Sequence, residues 1–153
     1  MAVIGPGEAS AEELAAAEEI GRLLAEGGAL LVCGGLGGVM EAACRGAKSA
    51  GGPTLGILPG LDRKAANPYV DVAVATGLGE ARNALVVRAA DALVAVGGAF
   101  GTLSEIGLAL KTGKPVVGLG SWELRRGGRT EKALHEASDP GDAARRALEL
   151  AGS

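Results

Sequence analysis

Two short glycine runs carry most of the chemistry this sequence offers. The first is Gly34-Gly35-Leu36-Gly37-Gly38 and the second is Gly97-Gly98-Ala99-Phe100-Gly101-Thr102. Each follows an apolar run and opens a segment of helical pattern with an early acid, Glu41 or Glu105. A glycine-rich bend leading into a helix presents backbone N–H groups that have no partner inside the helix, and the helix dipole adds positive potential at the same point. Without Cβ atoms, the bend lets a phosphate approach the main chain closely. Two such bends on one rim would cradle a phosphate without any lysine. Gly34, Gly35, Gly37 and Gly38 would serve from the first, and Gly98, Ala99, Phe100, Gly101 and Thr102 from the second, Thr102 adding a hydroxyl. The plainer alternative is that glycine only permits a tight strand-to-helix turn; two parallel loops favour anion binding.

Two side chains could act beside that cradle. Glu105 lies one turn into its helix, and Thr102-x-x-Glu105 has the form of a capping box, in which the carboxylate serves the backbone. Alternatively it projects into the cleft and acts on a sugar or a water. Arg82 falls in the first turn of a helical segment, three and four residues before Leu85 and Val86, on or beside the core-facing stripe. A guanidinium there needs a partner, and a phosphate or Glu105 would satisfy it bidentately; the alternative is an arginine that snorkels outward. Glu41 reads as a plain helix-start acid, Arg125-Arg126 as solvated charge, Cys33 as packed, and the one histidine, His135, as a surface or satisfied side chain. No Ser/His or Cys/His nucleophile can be assembled. The absence of GxxxxGK[ST] excludes P-loop hydrolysis. Met40, where a third small residue is needed, and the lack of an acid ending strand 54–58 weaken a dinucleotide dehydrogenase reading.

The elements that must hold these loops alternate in type. Residues 3–4, 29–33, 54–58, 70–75, 92–96 and 115–119 read as strands. Residues 133–137 could be helix or strand, with strand favoured. Residues 11–26, 39–50, 80–90, 102–112 and 140–151 read as helices. Ser10 and Glu13 form a capping box for the first, whose stripe is Leu14, Ala17, Ile20 and Leu24. The segment 80–90 shows Ala81, Leu85, Val86 and Ala89 as its apolar positions, and 61–69 and 120–130 read as loops. Continuous apolar strands alternating with helices specify an α/β fold: a Rossmann-like three-layer sandwich with a mostly parallel sheet covered by helices on both faces. At 153 residues it is expected to form a single domain over 1–153. Ligands of such sheets bind outside the carboxyl ends of the strands, where strand order reverses.

Composition narrows the partners. Net charge is −3 with no basic tract, and aromatic residues are only 2% of the chain, which argues against nucleic acid and against an anionic membrane surface. The apolar runs are too short to span a bilayer, and no basic-then-apolar leader is read, so a cytoplasmic location is expected. Two cysteines without CxxC spacing and a single histidine predict no metal site and reduced thiols. Gln is absent, and Asn occurs only at Asn67 and Asn83.

The stretch Gly79-Glu80-Ala81-Arg82-Asn83 through Val96-Gly97-Gly98-Ala99-Phe100-Gly101-Thr102-Leu103-Ser104-Glu105 resembles the Lonely Guy superfamily, long labelled lysine decarboxylase-like. Cys33-Gly34-Gly35-Leu36-Gly37-Gly38-Val39-Met40-Glu41-Ala42 and Gly56-Ile57-Leu58-Pro59-Gly60 are similar to its first glycine loop and following strand. Family hydrolases split the N-glycosidic bond of nucleoside 5′-monophosphates and carry Arg-Lys followed by Pro-Gly-Gly-x-Gly-Thr-x-x-Glu. On that resemblance Arg82 matches the arginine, Gly98, Gly101 and Thr102 match phosphate-loop positions, and Glu105 matches the catalytic glutamate. Asn83, Gly97 and Ala99 depart from the pattern toward the branch of molybdenum cofactor carrier proteins, which bind a phosphorylated pterin. The resemblance therefore implies binding of a nucleotide or a molybdenum cofactor-like pterin with no cofactor required. Nucleoside monophosphate hydrolysis by Glu105 and Arg82 is the alternative, and a homo-oligomer, dimer or tetramer, is expected.

Overall fold

In the computed structural model, which describes residues 1–153, the sheet is built around a three-residue strand, β1 (Ala2–Ile4). Val3 points into one core and Ala2 and Ile4 into the other, which is why polar alternation is missing from the sequence here. The further strands are β2 (Leu31–Cys33), β3 (Thr54–Leu58), β4 (Val72–Ala75), β5 (Leu93–Val96) and β6 (Val116–Leu119). A separate two-stranded hairpin, β7 (Arg125–Arg126) with β8 (Arg129–Thr130), precedes the last sheet strand, β9 (Leu134–Glu136). The seven-stranded sheet has the order β4-β3-β2-β1-β5-β6-β9, and all its pairings are parallel. Strand order therefore reverses between β1 and β5.

Helices α1 (Ala11–Glu26), α2 (Val39–Ser49) and α5 (Pro140–Ala151) cover one face; α3 (Asn83–Ala89) and α4 (Phe100–Lys111) cover the other. The capping box of α1 forms as expected: Ser10 Oγ accepts from the Glu13 N–H at 3.1 Å, and the Glu13 carboxylate accepts from the Ser10 N–H at 2.8 Å. Ala17, Ile20 and Leu24 of its stripe are buried. Cys33 packs against Cys44, with sulfurs 3.5 Å apart. The Rossmann-like α/β sandwich expected from the sequence is the fold observed, and no helix is long and apolar enough to cross a membrane.

Several expected boundaries move. The strand expected at 29–33 begins at Leu31, and the strand at 133–137 contracts to β9. The helix expected at 80–90 divides into a 3-10 turn, Gly79–Arg82, and α3. The tighter turn rotates the contact face, so Val86, Val87 and Ala90 are buried while Ala81, Leu85 and Ala89 face outward. The helix expected from Thr102 begins two residues earlier, at Phe100.

Candidate functional site

The exits of β2, β1 and β5 lie side by side at the carboxyl edge of the sheet, so the segments that follow them meet where strand order reverses. They enclose a cavity of about 190 Å³. Gly5, Pro6 and Gly7 line it after β1, Gly34 and Met40 after β2, and Ala99, Gly101, Thr102 and Glu105 after β5. Arg82 and Asn83 close it from the start of α3. Most of the residues singled out in the sequence, Gly34, Arg82, Ala99, Gly101, Thr102 and Glu105, are thus brought together, whereas Gly35, Gly37, Gly38, Gly98 and Phe100 lie outside the lining.

The two loops are not equivalent. Much of the first serves as a packing joint. The Gly35 N–H donates to Cys33 Sγ at 3.3 Å, and the Gly35 carbonyl accepts from the Asn67 N–H at 2.9 Å. Gly38 adopts φ +65° and sits so close to the β1 exit that a Cβ there would stand 2.4 Å from the Pro6 and Gly7 carbonyl oxygens. The next amide, Val39, donates to that Pro6 carbonyl. Only Gly34 faces the cavity from this loop, and the expected cradle of two equal halves is lopsided. A Cβ on Gly34 would lie 2.6 Å from Arg82 Nη2 and 2.7 Å from Met40 Sδ, so a side chain there would push aside the ends of both.

The second loop leaves its donors free. Ala99, in extended conformation, precedes α4 and offers no capping side chain. The Leu103 N–H closes the first turn onto the Ala99 carbonyl at 3.0 Å, so the amides of Phe100, Gly101 and Thr102 head the helix without intrahelical partners. Thr102 is consequently the third residue of the helix and not its cap, and of the two readings of Glu105 the capping box does not form. Gly97, at φ +64°, turns the chain early enough for Phe100 and Gly101 to become helical. Thr102 is only 2% exposed, lines the cavity, and its Oγ1 has no hydrogen-bond partner. An unpartnered buried hydroxyl costs about 1–3 kcal/mol.

Glu105 is 8% exposed and shares that cavity. Burial pushes its carboxyl up to about 7, and the nearby Arg82 charge recovers only part of the cost. Glu105, one of the two partners the sequence offers Arg82, makes no hydrogen bond with it. Arg82 instead donates from Nη1 to Asn83 Oδ1 and from Nη2 to the Gly34 carbonyl at 3.4 Å, while its buried Nε has no partner. Those bonds form because the 3-10 turn carries Arg82 toward the β2 exit, directly above Gly34. Burial lowers the guanidinium below its ordinary range, against the opposing pull of Glu105 and Cys33.

The model of the SLOG cluster4 family matches residues 1–144. The chain belongs to the SLOG cluster4 family. Among solved structures it is similar to the molybdenum cofactor binding protein of the phototrophic bacterium Rippkaea orientalis, with 38% identity and a TM-score of 0.87 over 97% of this chain and 94% of that one. It is also similar to the molybdenum cofactor carrier protein of Chlamydomonas reinhardtii, with 36% identity and a TM-score of 0.84 over 99% and 97% of the two chains. An uncharacterized protein of Archaeoglobus fulgidus is 49% identical over 119 residues, 78% of each chain. The Lonely Guy-like resemblance, and the molybdenum cofactor carrier branch within it, are confirmed.

Three parts of this site are not carried by the motifs of the sequence. Asn67, buried, donates through its side chain to the Leu36 carbonyl at 2.9 Å and accepts from the Tyr69 N–H at 3.1 Å, pinning the first loop to the segment after β3. Asn83 orients Arg82, and Met40 walls the cavity. The available signal was the rarity of asparagine: the chain's only two both serve this site. Glu41 and His135 stay outside the cavity.

Proposed function

We propose that the chain binds a phosphorylated small molecule, a nucleotide or a molybdenum cofactor-like pterin, with its phosphate on the free amides of Phe100, Gly101 and Thr102. The observation that carries this reading is Thr102: a nearly fully buried hydroxyl with no partner, beside three unbonded amides at a helix start. An anion supplies what all four donors lack. The orphaned Arg82 Nε fits the same need, and Gly34 supplies the close approach from the opposite wall. Two solved structures similar to this chain are named for binding or carrying the molybdenum cofactor, which supports a pterin phosphate as the cargo. The chain's own residues address that cargo through its phosphate.

One observation favours a second reading. A carboxyl held near pH 7 can deliver a proton, so Glu105 could protonate the base of a nucleoside 5′-monophosphate as water adds at the ribose carbon and the N-glycosidic bond breaks. Arg82 would then act as a positioning residue, since its Nη groups already hold Asn83 and Gly34. The same proposal includes a cytoplasmic location and self-association, for which exposed Val72, Val74 and Leu85 offer apolar surface.

The test is thermal unfolding with and without AMP, together with chromatography for released base. Binding at 100 times Kd adds roughly 2.7 kcal/mol. The expected result is stabilisation by AMP that is lost in an Arg82→Ala/Thr102→Ala double variant, without base release. Base release that vanishes in Glu105→Ala would establish the second reading. No stabilisation by any phosphate compound would overturn both.

A further inference from the structure

Phe100 is the chain's one phenylalanine and Trp122 its one tryptophan, and the fold sets them together with ring centroids 5.9 Å apart and planes tilted by 32°. Phe100 is 81% exposed, although burying such a ring is in general a major source of stability. Its own amide is one of the free donors at the start of α4. Trp122 is fixed to the same loop. Its indole N–H donates to the Ala99 carbonyl at 3.3 Å, and its ring fills the space that a side chain on Gly98 would need, 2.7 Å from the Cβ position. An aromatic pair thus stands beside the proposed phosphate site, with Phe100 turned toward solvent and Trp122 half-buried against the core that α3 and α4 cover.

The cavity's size makes this position informative. At about 190 Å³ it is smaller than the roughly 300–1,000 Å³ that encloses a whole drug-sized ligand. It has room for a phosphate and the start of a linker, and a ring attached to them must lie outside. We infer that Phe100 and Trp122 form the platform on which a planar heteroaromatic ring, linked to the bound phosphate, stacks. This deepens the phosphate-cradle reading and rests on it. Within the ring-bearing phosphates already proposed, it assigns the ring a place, since a flat π face gains more from such a platform than a ribose or a bare phosphate does.

Trp122, as the only tryptophan, reports on its own contact. AMP is expected to change the intrinsic fluorescence saturably, and ribose 5-phosphate is expected not to. By calorimetry AMP should bind roughly tenfold more tightly than ribose 5-phosphate, the size of effect that stacking of one base supplies. Phe100→Ala should bring AMP down to the ribose 5-phosphate level, and Phe100→Tyr should restore the difference. Equal affinities for the two compounds, or an unchanged ratio in Phe100→Ala, would overturn the platform while leaving the phosphate cradle standing. Gel filtration of Phe100→Ala adds a control: a change in oligomer size with the affinity ratio unchanged identifies a subunit contact and also overturns it. Failure of both compounds to bind would remove the cradle reading itself and the platform with it.

Discussion

Replacing Glu105 with glutamine isolates the cost of ionising a carboxyl in the cavity wall. In the folded chain this group titrates at about 7, against the usual 4.5, because burial outweighs the attraction of Arg82. Between about pH 4.5 and 7 the folded state keeps a proton that the unfolded state has lost, so stability falls as pH rises through that window. Below the window the contribution is intact; above it the whole penalty is present. At about 1.4 kcal/mol for each pH unit separating the two states, the penalty is roughly 3 kcal/mol. Glutamine keeps the shape of the neutral acid and cannot ionise. Urea unfolding, followed by circular dichroism, should therefore give nearly equal stabilities for wild type and Glu105→Gln near pH 4.5. Near pH 8 the variant should be the more stable by roughly 3 kcal/mol, or about 6–12 °C in Tm for a chain of this size. Differences from other titrating groups cancel between the two proteins. A gap that does not change with pH, or a variant less stable than wild type near pH 8, would refute the reasoning.

Two further outcomes test other parts of the structure. Gly46→Ala would ordinarily stabilise a helix by up to about 1 kcal/mol, but here the new Cβ would stand 1.8 Å from the Glu18 carbonyl oxygen of α1. Denaturant unfolding should show a loss of roughly 1–3 kcal/mol, the usual cost of overpacking, and a gain would contradict the close α1–α2 approach. Sulfate keeps its charge across neutral pH, so calorimetry should show its affinity falling as pH rises through about 7, where Glu105 ionises beside it. Glu105→Gln should flatten that dependence, and a pH-independent wild type would place Glu105 away from the anion.

Where local rules governed, the sequence could be read closely. The capping box at Ser10 and Glu13, the glycines after α1 and the proline opening α5 are signals carried within a few residues, and these two helices begin and end as expected. The start of α4 broke the rule that a polar side chain caps a helix. Ala99 stands there, and leaving the first turn uncapped is what makes the cavity a candidate site. The hairpin of β7 and β8 had its signal in Gly127-Gly128, a two-residue turn, but polar composition around it read as loop. The inequality of the two glycine loops was illegible for a different reason. It is set by Asn67 reaching Leu36 and by Pro6 reaching Val39, contacts some thirty residues apart that no local pattern encodes. Arg82 lines the cavity, yet its partners depend on a 3-10 turn that periodicity does not show.

The most direct test of an anion held by main-chain donors is a phosphate titration followed through amide nitrogen–proton correlation spectra. The amides of Phe100, Gly101 and Thr102, with that of Gly34, should move most and saturate together. Those heading α1 and α5, where Ser10 and Asp139 side chains already cap the first turn, should hold still. Unmoved signals at residues 100–102, or larger changes at the other helix starts, would contradict the account.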